Sequence, residues 1–230
     1  IKLLATQGLV HYFRGNLSPA QEALEKSYQL GISVKSSPLV EEELDATRGN
    51  LAMVLQKNNQ LGQAEKLNRE SLELAQNTKH LSKQVLRLTN LGTVLHEQEK
   101  YNEAMDVYGE ALALAELIKG DREYVRVVLN RANLSSFLGQ TGEARKEVSV
   151  AIELAQSNGM KTEHAYLNLL LAELSLGEND PEQAVQAVDA DNVRRSGHNA
   201  ALSHRMNCTL STWCWITVAV VGPIHRKFFP

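Results

Sequence analysis

Small residues recur along this chain at a fixed distance. Ala64, Ala104, Ala144 and Ala184 lie 40 residues apart, and Ala20 stands 44 residues before the first of them. Seven residues after the first four of this set comes a second small side chain, at Ser27, Ser71, Ala111 and Ala151. Twelve residues before each alanine comes a third, at Gly8, Ala52, Gly92, Ala132 and Ala172. Three positions holding one phase over most of 230 residues mark a stacked-repeat architecture. In such an array one unit cannot bury its apolar face alone, and stacking copies builds a continuous core.

Each unit reads as two helices. Leu88, Leu91 and Leu95 recur at helical spacing in the first, and Met105, Tyr108 and Leu112 in the second. Short polar turns join them at Gly15-Asn16, Asn59-Gln60, Glu99-Lys100, Gly139-Gln140 and Asn179-Asp180. Ser18 before Pro19, Asn102, and Asp180 before Pro181 read as helix N-caps. Two antiparallel helices on a short turn must cross closely, and small residues let the backbones approach. The Gly92 set on the first helix is expected to face the Ala104 set on the second. The Ala111 set would then accept the next repeat. Aromatic residues make up only 5% of the chain, so the core is expected to be Leu, Ala and Val.

The middle unit, with Leu88, Leu91-Gly92, Leu95, Ala104, Tyr108 and Ala111, resembles the tetratricopeptide repeat family. The resemblance covers about residues 2–190. The period departs from the family's usual shorter repeat, and Glu116 stands where a proline often ends the unit. Long-period members similar to this chain include bacterial MalT-like regulators, peptide-pheromone receptors and kinesin light chains. The resemblance implies an all-α fold: a right-handed α-solenoid of antiparallel helix pairs. It divides the chain into five repeats, at about 1–38, 45–79, 85–120, 125–160 and 165–191, followed by a tail at 192–230.

The resemblance also implies that the first helix of each pair lines a concave groove holding a protein or peptide segment. Asn50, Asn90 and Asn130 recur there at 40-residue spacing. Their amides could hold the main chain of an extended peptide or bond between repeats. Met53, Lys57, Thr93, Glu97, Arg126 and Asn133 share that face and would tune specificity. The wall carries mixed charge, with Lys57 and Arg126 against Glu97 and Glu173. Ala5, Gly49, Thr89 and Leu129 stand where a carboxylate-clamp member of the family would want lysine, so that mode is not expected.

No catalytic signature is legible. His96-Glu97 opens like a zinc-protease motif, but Lys100 occupies the place of the second histidine. Gly139-Gln140-Thr141-Gly142 lacks the lysine of a phosphate loop. No cofactor and no metal are expected. The formal net charge of −3 argues against nucleic-acid binding by charge alone. The run from Leu210 to Ile224 is too short and interrupted for a membrane span, and no secretory leader is read. The chain opens on Ile1, as a fragment or processed piece would.

The tail breaks the pattern. All 27 acidic residues precede it, while it holds Arg194, Arg195, Arg205, Arg226 and Lys227, both cysteines and both tryptophans. It reads as a β-prone or membrane-touching segment, as a metal site at Cys208, Cys214, His198 and His204, or as a foreign end such as a shifted reading frame. The last is favoured, because composition and repeat phase break together. The function expected is a non-catalytic scaffold within a larger cytoplasmic regulatory or signalling protein, such as a bacterial transcription regulator. Self-association stays open. The alternative is a sensory or oligomerising segment of a kinase or nucleotide cyclase.

Overall fold

The 40-residue period resolves into two 17-residue helices and two three-residue turns. The computed structural model describes residues 1–34, 38–177, 180, 182–184 and 186. Among them lie nine longer helices: α1 (Lys2–Phe13), α2 (Leu17–Ser33), α3 (Pro38–Lys57), α4 (Leu61–Asn77), α5 (Leu81–Glu97), α6 (Tyr101–Leu117), α7 (Asp121–Phe137), α8 (Thr141–Ser157) and α9 (Lys161–Gly177). Each packs on the next along the chain, and the described residues contain no strand. This is the expected α-solenoid of helix pairs. The odd-numbered helices are the A members and the even-numbered ones the B members. Contacts divide the chain into Ile1–Val188 and Asp189–Pro230. Every helix above belongs to the first unit, and all expectations for the tail lie outside the described residues.

The extra length of the first spacing has a local origin. Helix α3 is 20 residues long, three more than its counterparts, and one further residue enters the segment before it, 34–37.

The three-residue turns share one geometry. Their middle residue has positive φ, at Gly15, Asn59, Lys79, Glu99, Lys119, Gly139 and Gly159. The N–H of the third residue donates to the carbonyl five residues back: Gln60 N to Leu55 O at 2.8 Å, Lys100 N to Leu95 O at 2.9 Å. The middle N–H donates three residues back, as from Glu99 N to His96 O at 3.0 Å. This Schellman pairing satisfies the carbonyls a helix C-terminus leaves open. The carbonyl of the third residue then accepts the first bond of the next helix, as from Ala104 N to Lys100 O at 2.9 Å.

One residue therefore closes a helix and opens the next, which leaves no separate cap position. The expected caps at Ser18 and Asn102 are corrected accordingly. Helix α2 starts from Asn16 and α6 from Lys100, neither with a side-chain capping bond. Asp180 does cap, accepting at Oδ1 from Gln183 N at 3.1 Å.

The small residues answer to close packing, with a partner the spacing alone did not identify. A Cβ on Gly92 would lie 2.5 Å from Cε1 of Tyr108, a ring with no exposure, 16 residues on. A Cβ on Gly8 would lie 2.6 Å from Cγ of Leu24, the same interval away, and 3.2 Å from the Ala20 carbonyl oxygen. Helix A is thus kept small mainly to seat the large residue one turn beyond the expected alanine on helix B.

A fourth small set, Gly31, Ala75, Ala115 and Ala155, is also buried. It admits the following A helix: a Cβ on Gly31 would lie 2.7 Å from Cδ1 of Leu44, and Gln84 Nε2 donates to the Ala75 carbonyl at 3.0 Å. The core is apolar and chiefly aliphatic, as composition required, with Leu88, Leu91, Leu95, Leu134, Leu167 and Leu174 fully buried. Each such leucine contributes about 1.5–3 kcal/mol by leaving water.

Candidate protein-binding face on the A helices

Helical spacing places the sequence-predicted residues in one stripe per A helix. Asn50, Met53 and Lys57 lie three and seven residues apart on α3, and Asn90, Thr93 and Glu97 repeat that spacing on α5. Arg126, Asn130 and Asn133 follow on α7, so each group shares a face. The asparagines, Met53 and Thr93 are half-buried, while Lys57, Glu97 and Arg126 are exposed. Three of the four successive A-helix pairs also pack on one another, α1 on α3, α5 on α7 and α7 on α9, while α3 and α5 do not pack comparably. Among the described residues no comparable packing joins α2 to α4, α4 to α6 or α6 to α8.

The amides differ in their engagement. Asn130 Nδ2 donates to the Arg126 carbonyl at 2.9 Å, and Asn133 Nδ2 to the Leu129 carbonyl. Neither Asn50 nor Asn90 has a side-chain hydrogen-bond partner among the described residues. Thr93 is committed to the fold. It donates to the Thr89 carbonyl at 3.0 Å and accepts from Tyr108 Oη at 3.2 Å. Burial pushes the Tyr108 phenol up to about 12, so it remains a donor throughout the physiological range.

A buried ion pair ties α3 to α5. Arg87 Nη2 donates to Asp45 Oδ2 at 2.9 Å and to the Asp45 carbonyl at 3.2 Å. Both side chains are 7% exposed. Gly49 makes room, since a Cβ there would collide with the Arg87 guanidinium. Between α5 and α7 a depression of about 210 Å³ is lined by Leu86, Thr89, Glu123 and Arg126 among others.

Sequence reasoning missed an aromatic group at one end of the stripes. Phe137 stands 40 residues after Glu97 and is 66% exposed. Its ring centroid lies 5.3 Å from that of Tyr101 and 6.2 Å from that of His96. Burial holds the His96 imidazole below its ordinary value, with Glu97 opposing weakly. The available signal was the 40-residue step from Lys57 through Glu97 to an aromatic.

The described residues contain no group of three His, Cys, Asp or Glu able to hold a metal ion, and no helix long and apolar enough to cross a membrane. A family model described as tetratricopeptide repeat matches residues 43–117. Residues 43–117 carry tetratricopeptide repeats. No curated protein matches. Among solved structures, BtubC (BKLC) from P. vanneervenii is similar with a TM-score of 0.72 at 15% identity, over 86% of this chain and 81% of that one. A Podosopora anserina putative kinesin light chain with nearly identical TPR-like repeats is similar with a TM-score of 0.69 at 14% identity, over 85% and 96%. The apo form of RapI is similar with a TM-score of 0.70 at 14% identity, over 84% and 69%. At these identities the likeness establishes the fold.

Proposed function

We propose that the A-helix stripes form the concave wall of a groove that grips an extended protein or peptide segment by its main chain. The observation that carries this reading is the pair of half-buried amides at Asn50 and Asn90. Each offers donors and an acceptor on adjacent A helices with no internal partner among the described residues. The A-to-A packing, absent between B helices among the described residues, supports placing these stripes on the inner side of the curve. Met53, Lys57, Glu97, Arg126 and Asn133 would select side chains, with Thr93 and Asn130 shaping the wall.

The repeat array extends in this reading through about residue 191. Its setting is a cytoplasmic regulatory or signalling protein, an inference that rests on the sequence resemblance.

The test is a peptide-display selection on the intact chain, followed by Asn50→Ala and Asn90→Ala. Each substitution should weaken the selected peptides by roughly five-fold, about 1 kcal/mol for a lost amide contact, with the thermal melt unchanged. A melt that collapses while binding per folded molecule stays constant would make the asparagines structural and end this reading.

A further inference from the structure

One side-chain tie recurs along the B helices and is missing once. It joins a B helix to the residue that opens the next. Gln21 Nε2 donates to Gln60 Oε1 at 3.2 Å, Lys100 Nζ to Glu65 Oε2 at 3.0 Å, and Arg145 Nη2 to Asp180 Oδ2 at 2.9 Å. The remaining equivalent pair is Met105 and Gln140, which no side-chain bond joins among the described residues. A second tie is lost at the same place. Arg69 lies 3.7 Å from Glu103 across α4 and α6. Forty residues on, that pair is Gly109 and Glu143, and Glu143 has no ion-pair or hydrogen-bond partner among the described residues.

A recess of about 360 Å³ opens where both ties are missing. Met105, Gln140, Glu143 and Glu147 line it from α6, the turn and α8, with Arg131 and Ser135 from α7. None of the A-helix stripe residues lines it. Packing does not require this polar lining. Arg131, Ser135 and Glu147 stand where the two preceding repeats hold Leu91, Leu95 and Val107, and Leu51, Leu55 and Leu67. Ser135 is 4% exposed, and its hydroxyl meets only the Met105 thioether, a weak acceptor, at 3.9 Å. Arg131 is the one cation in the lining, and it is paired with Glu147. Burial, with Glu143 and Glu116 nearby, holds the Glu147 carboxyl above its ordinary value even against Arg131.

The recess is therefore rich in acceptors and short of donors. The Glu143 carboxylate is unpaired, a single arginine does not fill the lone pairs of Glu147, and the Ser135 oxygen can accept. A lysine ammonium brings three donors on a compact head, and its methylene stem can lie along Met105 and Ala144. A planar guanidinium would crowd against Arg131.

We propose that this recess docks a lysine side chain of a partner protein, on a surface separate from the A-helix stripes. Docking here is independent of anything held along those stripes.

The probes are four acetylated and amidated five-residue alanine peptides whose central residue is lysine, ε-acetyl-lysine, glutamine or arginine. Each is titrated at physiological salt into the intact ¹⁵N-labelled chain and followed by NMR. The lysine peptide should give saturable shifts at Met105, Ser135 and residues 140–147, at least five-fold tighter than the arginine peptide. The acetylated and glutamine peptides should not saturate. Asn50→Ala with Asn90→Ala should leave lysine binding unchanged, which separates this site from the groove.

Met105→Glu with Gln140→Lys installs the tie of the preceding repeat and should abolish saturation while the circular dichroism is preserved. Glu143→Gln changes an exposed residue, should weaken binding at least five-fold, and serves if the double variant does not fold. No saturable shift with the lysine peptide, equal binding of the acetylated or arginine peptide, or saturation that survives both variants overturns the proposal.

Discussion

Gly92→Ala is the sharpest test of why the repeat keeps its small residues. In an exposed helix interior, Gly→Ala is stabilising by about 0.5–1 kcal/mol, through backbone entropy in the unfolded chain. Gly109 on α6 has nothing within 4 Å of an added Cβ, so Gly109→Ala should show that gain in full. At Gly92 the added Cβ would stand 2.5 Å from Cε1 and 2.8 Å from Cδ1 and Cζ of Tyr108, against an ordinary contact distance of 3.4–4 Å. The ring must retreat by about 1 Å within a packed core, and overpacking of that kind costs roughly 1–3 kcal/mol. The two alanine variants, with identical chemistry, should therefore differ by about 1–3 kcal/mol in urea unfolding followed by circular dichroism. A shift of each kilocalorie corresponds to roughly 2–4 °C in Tm for a chain of this size.

The partner can be exchanged as well. In the next repeat the equivalent positions are Ala132 and Val148, both buried. Adding Gly92→Ala to a Tyr108→Val background should therefore cost nothing, a coupling between the sites that distant residues would not show. If Gly92→Ala matches Gly109→Ala in stability, or if its cost persists in the Tyr108→Val background, close approach to Tyr108 is not what keeps residue 92 small.

Three further outcomes follow from the same structure. Arg87→Val removes the hydrogen-bonded cation from the buried Asp45 carboxylate, leaving Arg48 Nη1 at 3.8 Å and Lys83 Nζ at 3.9 Å, and should cost about 1.5–3 kcal/mol. Forty residues on, the two positions are Val85 and Val127, both buried, so Asp45→Val with Arg87→Val should lose less than Arg87→Val alone in urea titrations; a single-variant cost below about 1 kcal/mol would dismiss the pair as a strut. Glu99 sits at φ 62° in its turn, where a side chain costs about 1–2 kcal/mol and glycine gives back part of that as entropy, so Glu99→Gly should gain roughly 0.5–1 kcal/mol. A Tm that does not rise would show that the Glu99 side chain stabilises the turn by other means. Burial lowers the His96 pKa from 6.5 in the native state, so below about pH 6.5 the unfolded chain binds more protons and stability falls with pH until the native imidazole also charges. His96→Gln should flatten that slope in Tm measured from pH 7 to 5, and an unchanged slope would assign it to another group.

Much of the solenoid is legible in the sequence. The helix pairs, their turns and the period are written by residues three, four, seven and twelve apart, because those contacts lie within one helix or across one short turn. The Asn50, Asn90 and Asn130 register follows from the same period, which puts them at equivalent places on α3, α5 and α7. The caps expected at Ser18 and Asn102 are misplaced because cap preference is local, whereas the turn geometry is set by two helices sharing a single junction residue.

What the tertiary structure decided is the pairing between elements. It seats Gly92 under Tyr108, joins Asp45 to Arg87 across 42 residues, and gathers His96, Tyr101 and Phe137 into one group. It also gathers Met105, Arg131, Ser135 and Glu147 around one recess. Each of these depends on how far one repeat is rotated and shifted against the next. A periodic pattern states that neighbouring units stack, but the shapes of the interlocking side chains determine the angle at which they do so, and that angle fixes which surface residues meet.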